Sequence, residues 1–254
     1  MKKIPLHLNL REALQKNGMI GIRFSNVVGD ADLELHTGSY LNAMNQPFTI
    51  KVLKYFVSNF EFIKEDGTIY TVPQDSCYFL IKESDPESQY FQLNIPKGAY
   101  TKMRFMFGVD SLRNTMPIDR RQGDLDPTGE AAGMYWTWNS GYIHFVCEGS
   151  SDSANTELSP SKNLIFHVGG FGGMTTPTYN NTRIVELDIT TFGTPTVSDA
   201  TSQTLQIHAD LLKLFHGVNK INFGKTPVIM IEKDAVRLAD NIQQMFQLGG
   251  LIME

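Results

Sequence analysis

Two tryptophans and one histidine carry the chemistry that stands out in this sequence. Trp136 and Trp138, both tryptophans of the chain, lie in Gly133-Met-Tyr-Trp136-Thr-Trp138-Asn-Ser-Gly141. Rings spaced i, i+2 point to one side of an extended backbone. Large aromatics of this kind serve as core, or as a platform for a hydrophobic ligand or a carbohydrate. His167 ends an apolar alternation and is followed at once by Val168-Gly-Gly-Phe-Gly-Gly173. Neutral imidazole is a donor for copper and zinc, and glycines remove the bulk that would keep a ligand away. The competing reading of His167 is a half-buried histidine satisfied by its own hydrogen bonds.

The other histidines read more structurally. His36 stands near the end of a short alternation, and His144 alternates with Tyr142 and Val146. His208 and His216 flank a short helical pattern and read as cap or surface residues. No pair shows H-x-x-H or H-x-x-x-H spacing, so a metal site would have to be assembled by the fold. Asp124, Asp126, Thr128 and Glu130 echo the oxygens of a calcium loop, with Gly129 at the sixth position. The twelfth position is Tyr135, where such loops place a glutamate, so a turn built by Asp and Gly is the better reading. G-x-S-x-G is absent, and nothing marks two carboxylates as an acid–base pair. The expectation is a protein without catalytic activity.

These residues need a frame. The tryptophans sit in a stretch, Gly108 to Glu148, that leaves a strand at Val109 and re-enters one near Tyr142. A connection of roughly thirty residues is far longer than usual and tends to be functional or disordered. Its Trp, Met and Tyr content favours a folded, site-bearing loop. Around it run short period-2 segments: Ile20–Ser25, Leu33–His36, Thr68–Val72, Cys77–Ile81, Tyr90–Ile95, Thr101–Val109, Tyr142–Cys147, Leu164–Val168, Arg183–Ile189, Thr204–His208 and Pro227–Ile231. In 48–62, Phe48, Ile50, Val52, Phe56, Phe60 and Phe62 share one parity, which predicts a bent central strand or two strands broken near Ser58. Asp66-Gly67 signals a hairpin. Two helices are predicted, Asp210–His216 with an Asp cap and Asp234–Leu248 stopped by Gly249-Gly250. The pattern predicts an all-β fold, an antiparallel β-sandwich, immunoglobulin-like or related. We expect one domain over 1–254, with 1–18 a poorly structured N-terminal segment.

Composition narrows the partners. The 254 residues carry a net charge of −5 with 22 basic residues spread thinly, so no basic footprint for nucleic acid is visible. No run approaches the length of a membrane-spanning helix. The start, MKKIPLHLNLREALQ, has the basic head of a signal peptide but no apolar core or cleavage site. Cys77 and Cys147, the two cysteines, each lie in an apolar run and read as two buried thiols, although one disulfide fits the count as well.

Taken together the motifs resemble the MbnP-like family of envelope proteins, relatives of a periplasmic copper protein encoded with methanobactin systems, in the form found in Bacteroidetes lipoproteins. The resemblance rests on Leu53-Lys-Tyr-Phe-Val-Ser-Asn59 with Asp66-Gly67, Pro96-Lys-Gly-Ala-Tyr100, Phe107-Gly-Val-Asp110-Ser with Asn114, Gly123-Asp-Leu-Asp-Pro127, Gly133–Tyr142, and Phe166-His167-Val-Gly-Gly170. It implies a β-sandwich of the periplasm or outer membrane, with a lipid anchor in a longer form. It also implies a copper site. In copper-binding relatives a di-haem MauG-like partner enzyme oxidises a tryptophan to kynurenine, which joins histidines at the metal. By that resemblance His167 is a metal ligand and Trp136 or Trp138 the modified residue. Many similar proteins carry histidine in the first strand where this chain has Asn26, which leaves His36 as the candidate second ligand. The alternative is a ligand- or glycan-binding surface module on the same scaffold without metal.

Overall fold

The computed structural model describes residues 16–200, 202–230 and 233–253. Ten principal strands build it: β1 Asn17–Val28, β2 Pro47–Ile63, β3 Tyr78–Lys82, β4 Tyr90–Pro96, β5 Lys102–Phe107, β6 Gly141–Ser150, β7 Asn163–Gly169, β8 Arg183–Asp188, β9 Gln203–Asp210 and β10 Phe246–Met253. Strand accounts for 45% of the chain, about twice the share typical of soluble domains, and the protein is all-β and sandwich-like. One sheet runs β10-β9-β1, with β4 on the other side of β1. The second runs β8-β5-β2-β6-β7, and β3 also pairs with β2.

The main core lies between these sheets because alternate residues of both turn inward. Phe24 of β1 shows the arrangement: its ring meets Tyr55 at 6.2 Å, Phe105 at 5.7 Å and Phe246 at 6.0 Å, each edge-on. Edge-to-face contacts suit the quadrupoles of aromatic rings and add to the burial of their area. Cys77 and Cys147 are separate, buried free thiols, and burial raises the thiol pKa of both.

The sandwich is not wholly antiparallel. β1 pairs with β9 in parallel, Gly21 opposite Thr204 through Val27 opposite Asp210. The chain between these two strands passes through the whole second sheet, so no tight turn fixes their direction. Residues 33–39 form a turn with His36 at φ +68°, in place of the expected strand at Leu33–His36. Strand β1 already begins at Asn17, so the poorly structured segment expected to residue 18 does not extend that far. Its residues 1–15 lie outside the described residues.

Strand β2 does not keep one parity. Phe48 and Ile50 face the main core, as do Leu53, Tyr55 and Val57, then Phe60 and Phe62. Val52 and Phe56 face the other way. The register slips once between Ile50 and Val52 against β6 and again between Ser58 and Glu61 against β5. At the second slip Asn59 takes φ +52°, the left-handed backbone that bulges use and asparagine tolerates. The irregularity foreseen near Ser58 is thus a bulge inside one unbroken strand.

Three helices support the sheets: α1 Ser111–Asn114, α2 Leu211–Phe215 and α3 Lys233–Ile242. Asp210 caps α2, its Oδ1 accepting from Leu212 N–H and from Gly29 N–H at 2.9 Å each. The last helix stops at Ile242, short of the expected Leu248, because Phe246–Met253 is a strand. Gly249-Gly250 marks a bulge there. A β-carbon at Gly249 would come within 2.4 Å of the His208 ring, so the glycine lets that ring cross the strand.

Candidate binding site at the tryptophan loop

The long loop is folded, and it builds a second apolar cluster on the outer face of the β2–β6 region. Phe56, Leu80, Val109, Leu125, Ala131, Met134, Tyr142, Ile143 and Val146 are buried there, with Trp136 packed against them. Polar ties hold the loop down at both ends. Asp110 caps α1 through Arg113 N–H at 3.0 Å and takes hydrogen bonds from Asn59 at 2.7 Å and Tyr78 at 2.5 Å. Buried Asn114 donates to Val109 C=O and accepts from Tyr142 N–H, both at 2.8 Å, so it joins the loop's entry to its exit. The Arg121 guanidinium lies over the rings of Tyr135 and Tyr142 at 4.7 and 5.2 Å, a cation–π arrangement. Asp126 Oδ1 accepts from Thr128 N–H and Oγ1 at 2.8 Å each. Asp124 instead accepts from Leu80 N–H, and Glu130 pairs with Lys82. The acidic stretch is therefore a turn with its carboxylates dispersed.

Tyr135-Trp136 pairs with Tyr142 and Gly141 as a short hairpin. Because the chain turns after Trp136, the two indoles stack on each other, centroids 5.0 Å apart and planes 18° apart. Trp136 is half-buried and Trp138 is 52% exposed. Of the two readings of these rings, core or platform, Trp138 is not core: its ring forms the outer layer of the stack. The inner ring lies on β7: a β-carbon at Gly169 would stand 2.5 Å from Trp136 Cζ3. The room left by the first glycine after His167 is thus filled by the protein's own ring.

His167 is on the same face. Leu164, Phe166 and Val168 enter the main core, so Ile165, His167 and Gly169 point outward with the period of the strand. His167 Nε2 lies 2.7 Å from Glu148 Oε1, with the two side chains 17% and 41% exposed. Glu148 sits diagonally from His167, because Val146 is directly opposite it. The sequence could not supply this partner without the register of β6 on β7.

His144 and His36 are placed differently. His144 is fully buried; its Nδ1 accepts from Val109 N–H at 3.3 Å and its Nε2 faces Gly170 C=O at 3.1 Å. Burial lowers its pKa to about 4, and the neutral ring clamps the loop entry to the glycine turn. His36 is exposed, and its backbone N–H donates to Ile50 C=O at 2.7 Å. No hydrogen bond joins it to His167 among the described residues. Asn26 is buried, accepting from Tyr55 OH and donating to Glu83 Oε2, both at 2.8 Å, and Gln89 donates to the same carboxylate at 3.1 Å. Burial raises the Glu83 pKa.

A family model for MbnP matches residues 17–231. The chain belongs to the MbnP family. Among solved structures, it resembles MbnP from Methylosinus trichosporium with a TM-score of 0.60 at 18% identity, over 87% of each chain. That likeness is one of fold. No curated protein matches the sequence. Set against the copper site that the family resemblance implies, the donors of this MbnP-family chain fit in part. Among the described residues no three His, Cys, Asp or Glu side chains gather as a metal-ligand group. His36 makes no hydrogen bond to His167 among the described residues, and the donor beside His167 is the Glu148 carboxylate. These two would suit a copper(II) ion whose remaining positions are filled by water.

Proposed function

We propose that this chain is a non-catalytic MbnP-family protein of the cell envelope that binds its ligand at the tryptophan loop. The observation that carries the reading is the convergence of His167, Glu148 and the Trp136–Trp138 stack on one face, where β7 meets the loop. In this reading copper(II) binds weakly, held by His167 and Glu148. His36 takes no part, and Asn26 belongs to a closed hydrogen-bond network rather than to the metal. Trp138, the exposed indole, is the one open to oxidation by a di-haem MauG-like partner, because a second protein must reach its target ring. Placement in the periplasm or on the outer membrane, with a lipid anchor in a longer form, follows the family resemblance.

Competition between the protein and a chromophoric copper(II) chelator tests the metal reading. One weak site should be present in the wild type and lost in His167→Ala. An intact mass of protein made with the oxidising partner tests the second part. Kynurenine formation removes one carbon and adds one oxygen, and peptide mapping should place it at Trp138. A His167→Ala variant that binds copper as the wild type does would overturn the copper reading, and modification confined to Trp136 would overturn the assignment of the ring.

A further inference from the structure

Beside the His167 face the same loop opens a cleft that meets the copper reading only at Trp138, whose unmodified indole it uses. Its walls are Trp138 with Asn139 and Ser140 on one side, and Thr176, Pro177, Thr178 and Tyr179 on the other. Trp138 is 52% and Tyr179 48% exposed, so two large rings of the lining reach solvent. Exposed aromatics gathered at one place mark interaction sites more often than rings scattered singly.

The two walls are held in place before anything binds. Asn139 Oδ1 accepts from the backbone N–H groups of Met174 at 2.8 Å and Thr175 at 2.7 Å, and its Nδ2 donates to Thr176 C=O at 2.6 Å. Trp138 Nε1–H donates to Ser140 Oγ at 3.1 Å, and its ring rests on Trp136, which is seated over Gly169. On the far wall, Gly172 N–H donates to Tyr179 C=O at 3.3 Å. A groove tied in this way loses little conformational freedom on binding.

Its chemistry selects the ligand. None of the lining side chains is charged, so the cleft offers no counter-charge to an anion or a cation. The ring faces are weakly negative and receive polarised C–H groups. Around them are the hydroxyls of Thr176 and Thr178, whereas Ser140 is buried under the indole it accepts from. Thr176, an exposed residue, accepts at Oγ1 from Asn139 Nδ2 at 3.1 Å, which leaves its O–H to donate, and Thr178 Oγ1 donates to Tyr179 C=O at 3.4 Å and keeps lone pairs to accept. A purely apolar ligand would cover these hydroxyls without pairing them, which costs free energy. A ring with a C–H face and a hydroxylated edge meets both demands. We propose that the Trp138–Tyr179 cleft is a binding site for neutral saccharides, with a pyranose ring stacked on an aromatic wall and its hydroxyls on the threonine rim.

Because Trp136 and Trp138 are the two tryptophans of the chain, intrinsic indole fluorescence reports on this place alone. The test titrates the full chain, in EDTA to exclude metal quenching, with neutral gluco-, xylo-, manno- and N-acetylglucosamine oligosaccharides and with anionic uronate oligomers. The expected result is a saturable change with at least one neutral sugar, at a dissociation constant of roughly micromolar to millimolar. Calorimetry should show binding weakened about tenfold or more by Tyr179→Ala and abolished by Trp138→Ala. Thermal melts show whether the variants fold; if Trp138→Ala does not, Tyr179→Ala decides alone. Copper competition should be unchanged in Tyr179→Ala, which keeps this proposal separate from the metal reading. No saturable response to any neutral sugar, binding confined to the uronates, or full affinity in a folded Tyr179→Ala variant would each overturn it.

Discussion

The Trp136 ring occupies the space directly above Gly169, so close that a β-carbon on the glycine would lie 2.5 Å from Cζ3. This contact anchors the long loop to β7, two positions from His167. Gly169→Val should therefore lift the ring. We expect a loss of about 1–3 kcal/mol, in the range of overpacked sites, measured by urea unfolding. A red shift of indole emission should accompany it. Unchanged stability and emission would mean that the ring is not seated there.

The two tryptophans should differ in what they contribute to stability. Trp136 touches the second core, whereas Trp138 covers it from outside and is half in solvent. Trp136→Ala should cost about 2–4 kcal/mol, toward the lower end for buried aromatics. Trp138→Ala should stay within about 1 kcal/mol of wild type, as surface changes generally do. Equal losses in denaturant unfolding would contradict this division.

His144 predicts a pH dependence with a definite sign. Its folded pKa, about 4, lies below the ordinary 6.5 because burial disfavours the charged ring. Between those values the unfolded chain binds more protons, so stability rises with pH. The contribution is fully present above about 6.5 and is lost as pH falls toward 4, on the order of 3 kcal/mol in total. Glu83 and Asp124, whose carboxyls burial raises, act with the opposite sign, so the comparison must be with a variant. His144→Gln should be less stable at neutral pH and show a flatter slope from pH 6.5 to 4 in denaturant melts. A slope equal to wild type would remove His144 from this account.

Asn26 fills a structural role that the resemblance alone would have missed. It bridges Tyr55 OH and the Glu83 carboxylate inside the protein. Asn26→Leu leaves a buried hydroxyl and a partly buried carboxylate short of a partner each. Such losses cost about 1–3 kcal/mol per group, so a fall of about 2–4 kcal/mol is expected in thermal or urea unfolding. Copper affinity should not change. A stable Asn26→Leu variant with altered copper binding would place this position at the metal after all.

Much of the fold was legible because period-2 runs and turn residues report local backbone directly. Asp66-Gly67 made its turn, with Asp66 Oδ1 accepting from Thr68 N–H at 2.8 Å, and Asp210 capped its helix. What escaped was tertiary in origin. The apolar run of β2 hides two register slips because both of its faces are buried, one by the sandwich and one by the loop, so hydrophobicity no longer marks a face. Gly249-Gly250 reads as a helix stop but is a bulge that receives the His208 ring. The parallel β1–β9 pairing joins residues 183 positions apart in sequence, as for Gly21 and Thr204. At the site, His167 and the tryptophans were visible by type. Glu148, Asn139 and Tyr179 reach it only through strand register and loop contacts, and nothing in their own neighbourhoods marks them.

The proposed donor pair for copper(II) is His167 with Glu148 rather than two histidines. EPR of protein loaded with one equivalent of copper(II) tests it most directly, in the wild type, His167→Ala, Glu148→Gln and His36→Ala. We expect a weakly bound type 2 signal with coupling to a single imidazole nitrogen. That signal should be absent in His167→Ala, diminished in Glu148→Gln and unchanged in His36→Ala. Coupling to two imidazoles, or a signal that depends on His36, would contradict it.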